Sequence, residues 1–536
     1  MDELLLINGK FHTQDSRYPN ATSVATRGGR IRAVGNAGEE GTIRDLVGPD
    51  ARVIDLQGRL VLPGLTDAHF HFRDWALGLR RLALAGVESL AGLRERLAQR
   101  AEETPPGEWI LGQGWNESRW PEPRMPTRSD LDEAAPNQPV ILWRSDLHLA
   151  VANSQALREA GITADTPNPP EGLIDRDESG APTGILREKA IGLVKDVIPP
   201  PTEDETVEAM REGFGRLHRL GLTSLHDHRI MGGDDGPPAF HAYQRLQASG
   251  DLALRLWMSI PSERLDEAVA LGLRSGFGDD YLRVGHVKAF SDGGQGARTA
   301  WMLEPYEDTG DCGMPLTPME EIAAIVRKAD RAGLAVAVHA IGDRANRELI
   351  TLFERVTQHT IPVTPIPHRI EHVQVIRPGD VRRLAQLDVA ASVQPIHVTD
   401  DMPMTEQSIG ARSRFAYPFR DMLDAGVTLA FGSDAPVADP NPLFGIHAAV
   451  TRQTRDGDPP GGWYPRQRLS VAEAVWGFTM GPACISGRAH ELGSISPGKL
   501  ADLVVLDRDI FEIEPQAIHQ AQVTMTIFDG RVVYER

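Results

Sequence analysis

The chain has 536 residues, 41% of them hydrophobic and 24% charged, and a formal net charge of −19. That length allows a large core and two or more structural units, or one large barrel with an appendage. The acidic balance argues against a nucleic-acid partner or an anionic membrane surface, since no basic field is available to attract phosphates; it leaves a small-molecule substrate open.

Two cysteines, Cys312 and Cys484, are too few for a disulfide framework or a thiolate metal cluster, and point to a reducing cytoplasm. Met1-Asp2-Glu3 lacks the basic region and apolar core of a signal peptide, and no apolar run approaches the length of a membrane span. From Leu4 to about Leu62, short β-rich pieces alternate with Gly and Asn turns. The far end, Ala501–Asp507 and Val523–Tyr534, reads the same way. Residues 1–60 and 490–536 are therefore expected to build one small β-sandwich domain.

Between them, across 61–489, apolar strands alternate with amphipathic helices. Strands are expected near Leu60–His71, Leu222–Asp227, Leu252–Ile260, Leu282–Asp292, Leu334–Ala340, His368–Val373, Val389–Pro395 and Val427–Ser433, with helices such as Met319–Ala332 and Pro378–Leu387. Eight such strands define an α/β fold of the (β/α)8 TIM-barrel type; a doubly wound open sheet fits the count less well. Residues 74–200 break the alternation. A segment this long, with Trp75, Trp109, Trp115, Trp120 and Trp143, reads as a functional insertion or lid overhanging the barrel end, its tryptophans lining a pocket or forming its own core.

The first strand ends in His69-Phe70-His71. Side chains two apart lie on one face of a strand, so the two imidazoles converge and form half of a metal site. Alone the pair is weak, because 17 histidines give chance spacings. In barrels the chemistry gathers at the C-terminal strand ends, and those ends hold Asp227 between His226 and His228, Lys288 with Asp292, His339 with Asp343, His372 with Glu371, and Asp434.

At this point the chain resembles the metal-dependent amidohydrolase superfamily, and within it amidohydrolase family 3, the YtcJ-like branch. The resemblance rests on Leu62–His71, Gly114–Trp120, Val287–Gly293, Val338–Asn346, Arg369–His372, Phe431–Val437 and Gly493–Leu503. It implies a barrel holding one or two divalent metals, most often zinc. By the same analogy His69, His71 and Asp434 bind one ion and His339 and His372 the second. Lys288 matches a lysine that is carboxylated in related enzymes to bridge the two, a carbamate being an anionic oxygen donor where an ammonium is none. An ordinary ammonium paired with Asp292 is the rival reading of Lys288, and an orienting or substrate-binding role that of His372.

The implied reaction is hydrolysis of a C–N bond by activated water, with Asp434 carrying the proton to the leaving nitrogen. His148, in Asp146-Leu147-His148, reaches the substrate from the insertion or orders the insertion itself. Arg412 or Arg414 binds a substrate carboxylate or is a solvated surface arginine. His226 and His228 are read as supporting or packing residues. The substrate is expected to be a small amide, N-acyl or N-formyl compound; a cyclic imidazolone- or hydantoin-like ring, as hydrolase or deaminase substrate, is the alternative, and a non-catalytic binding protein a third. The family also implies a homodimer.

Overall fold

The run read as a single strand, Leu60–His71, is divided between two sheets at Gly64. The computed structural model describes residues 3–36, 38–117, 120–122, 124–144, 149–170, 172–229, 236–357 and 363–536. Leu60–Pro63 pairs antiparallel with Leu503–Leu506, whereas Leu65–Phe70 opens the barrel. At the crossing, a Cβ on Gly64 would lie 2.3 Å from Thr223 Oγ1 and 2.8 Å from Asp502 Cβ, so only glycine fits.

The barrel sheet has eight parallel strands: Leu65–Phe70, Leu222–Asp227, Arg255–Pro261, Leu282–Phe290, Val336–Ala340, His368–His372, Val389–Val393 and Leu429–Phe431, here strands one to eight, each beside the next. Helices between them turn apolar faces inward. Met319–Arg331 buries Ile322, Ala323, Val326 and Ala329, the spacing of one helical face. The sheet closes just beyond strand eight, where Asp434 N donates to His69 O at 2.8 Å and His71 N to Ala435 O at 2.9 Å. The buried Asp67 carboxylate fixes the same seam by accepting from the amides of His69 and Ser433, each at 3.0 Å. Strand eight's exit is thereby locked against strand one's exit.

Both termini build a β-sandwich. One sheet orders Arg30–Gly35, Ser23–Arg27, Glu3–Ile7 and Arg52–Asp55; the other orders Lys10–Phe11, Leu60–Pro63, Leu503–Leu506, Val523–Phe528 and Arg531–Glu535. Leu4, Leu6 and Val24 from the first pack with Val61, Leu503 and Ile527 from the second. Fully buried Arg255 on strand three ties sandwich to barrel through Asp502, at 2.5 and 2.9 Å.

The insertion is a compact unit of its own, Leu77–Glu205, around a six-stranded sheet. Trp115 and Trp120 lie in its core, their indole N–H groups bonded to Leu142 O and Val87 O, and Trp109 and Trp143 pack on a second cluster of the same unit. These four tryptophans therefore hold the insertion together, while Trp75 packs edge-on to Phe70 of the barrel. Among the described residues no helix is long and apolar enough to cross a membrane, and both cysteines are free.

Gly64→Ala should destabilise the protein by roughly 1–3 kcal/mol, the cost of forcing a methyl into a packed site. Chemical denaturation checks this, and adding Thr223→Ala should recover part of the loss by removing the nearest clash.

Candidate metal centre

Four histidines at the C-terminal end of the barrel each have one ring nitrogen tied to a fixed acceptor. His69 Nδ1 donates to Glu371 Oε2 at 2.7 Å, His71 Nδ1 to the carbonyl of His228 at 2.6 Å, and His372 Nδ1 to Gln394 Oε1 at 2.8 Å. His339 Nε2 faces the Gly293 carbonyl at 3.4 Å. A neutral imidazole carries one proton, so these bonds leave the lone pair on the other nitrogen.

The free nitrogens of His69 and His71 meet one carboxylate, with His372 close by. Asp434 Oδ1 lies 2.9 Å from His71 Nε2 and 3.4 Å from His69 Nε2. Donor atoms of His69, His372 and Asp434 lie within 4.8 Å of one another, and the His339 ring centroid is 4.4 Å from that of His372. Acceptor facing acceptor is repulsive unless a cation or proton lies between. Burial opposes a charge on His71, but the bond and attraction to Asp434 outweigh that and raise its pKa. Burial would raise the Asp434 carboxyl, yet His69 and His71 hold it well below its ordinary value. Burial, with the charge of Lys288 added, pushes His69 to about 4 and His339 to about 3, so both rings stay neutral. Imidazole nitrogens with one carboxylate suit a divalent ion of the zinc kind.

Backbone strain marks the same place. His372 and Asp434 have φ of 74° and 64°, and β-branched Val373 has φ of 42°. Such left-handed residues cost about 1–3 kcal/mol each and persist where the surroundings enforce them.

A second cluster, His69, His228 and Glu371, has metal-like spacing but is already filled by a cation. Arg369, buried on strand six, lies 2.6 Å from Glu371 Oε1 by its Nε, donates to His226 Nδ1 at 2.8 Å and also to His228 Nε2. A guanidinium only donates, so both histidines accept and are neutral, and His228 Nδ1 bonds Ser259 Oγ at 2.7 Å. Burial first, and Arg369 with it, hold His226 and His228 well below the ordinary histidine value. The His228 carbonyl also accepts from His71 Nδ1.

Lys288 is fully buried and its Nζ has no hydrogen-bond partner among the described residues. Burial lowers its pKa to about 8. The rival pairing with Asp292 does not form, because Asp292 accepts instead from the amides of Ile341, Gly342 and Trp301 at 3.0, 2.8 and 2.8 Å. Arg412 spends its guanidinium on the carbonyls of Ile409, Glu304 and Pro305, and exposed Arg414 lies over the Phe415 ring. His148 lies outside the described residues. Asp227 takes up the Phe72 amide and the Tyr243 hydroxyl.

Strand seven was expected from the sequence, but the two polar residues that follow it were not singled out. Gln394 orients His372, and His397, one turn on, faces Asp434 Oδ2 at 4.0 Å. The signal available was Gln394-Pro395-Ile396-His397, which begins at the strand's C-terminal end.

Barrel and donor set together define a hydrolase of the metal-dependent barrel class. The model of the amidohydrolase family, Amidohydro_3, matches residues 52–534. Putative amidohydrolase YtcJ of Bacillus subtilis is 32% identical, over 91% of each chain. An N-substituted formamide deformylase of Arthrobacter pascens is 31% identical, over 100% of this chain and 99% of that one. An uncharacterized metal-dependent hydrolase from Pyrococcus furiosus superposes with a TM-score of 0.78 at 29% identity, covering 95% of this chain and 100% of that one. The chain belongs to the amidohydrolase family, and is a hydrolase acting on C–N bonds.

Glu371→Gln should destabilise the fold by about 3–5 kcal/mol, because Arg369 is then a buried charge without its counterion. Thermal and chemical denaturation read this directly, and a loss under about 1 kcal/mol would contradict the assigned pairing.

Proposed function

We propose that the chain hydrolyses the C–N bond of a small N-formyl or N-acyl amine with a divalent ion, zinc by donor type, held by His69, His71, His339, His372 and Asp434. The observation that carries this reading is the convergence of imidazole lone pairs on the Asp434 carboxylate, each lone pair fixed by a bond at the far side of its ring. The formamide preference rests on end-to-end likeness to the Arthrobacter deformylase.

A divalent ion in such a site supplies Lewis acidity, polarising a carbonyl and lowering the pKa of water. The chain's own residues do the rest. Asp434 accepts the proton that the attacking water loses and returns it to the leaving nitrogen. Glu371, Gln394 and the His228 carbonyl hold the rings of His69, His372 and His71 in one tautomer and orientation, so the donors need no rearrangement. Lys288 enters as a carbamate: its neutral amine adds CO2 and releases a proton, turning an unpartnered nitrogen into an anionic oxygen donor.

Three measurements test the reading. Elemental analysis of protein purified without chelator should find bound divalent metal, and His71→Ala or Asp434→Ala should lose both metal and turnover while remaining folded. N-alkylformamides should be hydrolysed faster than N-acetyl amines, with hydantoins and imidazolones inert; preferential opening of a cyclic substrate would replace the formamide assignment. For Lys288, native mass spectrometry should show one added CO2 that Lys288→Ala lacks.

Metal affinity should also depend on pH, because the ion must displace the His71 proton. Since the His71 pKa is raised in the ion-free protein, affinity should fall about tenfold per pH unit below that pKa and level off above it. Titration with zinc across pH 5–9 checks the sign, an approximate range spanning the ordinary histidine value. Tighter binding at low pH would contradict it.

A further inference from the structure

His397 is a buried histidine at this end of the barrel that the proposed centre does not use. It lies in the first turn of the helix Pro395–Ile409, directly after strand seven. The residue is 7% exposed, and its Nε2 is shielded from solvent with no hydrogen-bond partner among the described residues. His226 and His228 are different: each accepts a bond from Arg369. His397 Nε2 faces Asp434 Oδ2 at 4.0 Å, too long for a hydrogen bond. The bonded oxygen of Asp434 is the other one, Oδ1, which meets His71.

These facts fix what His397 can do. A carboxylate opposite favours the tautomer with the proton on Nε2, so the ring presents an N–H toward the oxygen assigned to proton transfer. Buried donors in folded proteins are almost always paired. Among the described residues this one has no acceptor, and it lies beside the carboxylate that must meet the substrate.

We propose that His397 is a substrate-binding residue whose Nε2–H donates to the carbonyl oxygen of a small amide, holding the scissile group against Asp434; this rests on the C–N hydrolase reading above. The contact is of the kind that strengthens as negative charge grows on that oxygen, so it acts on turnover as well as binding. After cleavage the same oxygen belongs to the product carboxylate, and formate is therefore the smallest probe of the contact.

The test compares zinc-loaded wild type with His397→Ala and His397→Gln, the latter keeping an N–H at a similar reach. Elemental analysis, formate titration calorimetry and kinetics on N-butylformamide are read together. His397→Ala should keep wild-type metal content and thermal midpoint, bind formate at least tenfold more weakly, and lose at least a hundredfold in kcat/KM with a fall in kcat; His397→Gln should recover part of both losses. Unchanged formate affinity and kcat/KM in His397→Ala would overturn the proposal, as would loss of metal matching that of His71→Ala. If wild type hydrolyses no amide but His397→Ala still weakens formate binding, the assignment of His397 stands and the C–N reading of the site is what fails.

Discussion

One carboxylate, Asp434, organises the functional end of this molecule. Its Oδ1 is met by imidazole nitrogens whose protons are held elsewhere, an arrangement that a protein without a cation stabilises only by protonating one of its rings. The carboxylate is in place because of how the barrel closes. Strand eight is short, Leu429–Phe431, and the chain beyond it bonds back to His69 and His71 through main-chain groups. The Asp67 carboxylate anchors the same crossing. Barrel closure and donor convergence are thus one constraint, and the left-handed backbone at Asp434 is where it is felt.

Beneath that layer the barrel interior departs from the branched aliphatic filling usual in such folds. His226 on strand two and His228 just beyond it, His286 and Lys288 on strand four, and Arg369 and Glu371 on strand six are all buried. Arg369 connects three of them, and through Glu371 its charge reaches His69. Replacing one member leaves a buried charge or acceptor without a partner, so the network fixes ring orientations more firmly than separate hydrogen bonds would. His286 continues it downward, accepting from Trp257 Nε1 at 2.9 Å and bonding the Pro367 carbonyl at 3.1 Å.

Much of this was legible in the sequence, for physical reasons. Barrel strands are buried on both faces and read as apolar runs, and the candidate metal-ligating residues stand near the C-terminal ends of those runs. That is why His69, His71, Lys288, His339, His372 and Asp434, scattered over more than half the chain, fall at one end of one sheet. Other features depend on contacts that no local pattern carries. The division of Leu60–His71 at Gly64 is set by Thr223 and Asp502, and the failure of Lys288 to pair with Asp292 by three main-chain amides, from Trp301 in its own loop and from Ile341 and Gly342 after strand five. His397 escaped notice because it lies inside a helix rather than at a strand end, where only tertiary packing reveals that its nitrogen has no partner. The insertion's tryptophans fit two readings on composition alone; burial of Trp115 and Trp120 decided for its own core.

The account's central claim is that a divalent ion belongs with Asp434 and the histidines around it, and not with the neighbouring His69, His228 and Glu371 cluster that Arg369 already neutralises. Anomalous diffraction at the zinc edge from crystals of the protein purified without chelator tests this directly. The account predicts a peak within coordination distance of Asp434 Oδ1, His69 Nε2 and His71 Nε2. A peak between His228 and Glu371, or none after zinc is supplied, would contradict it.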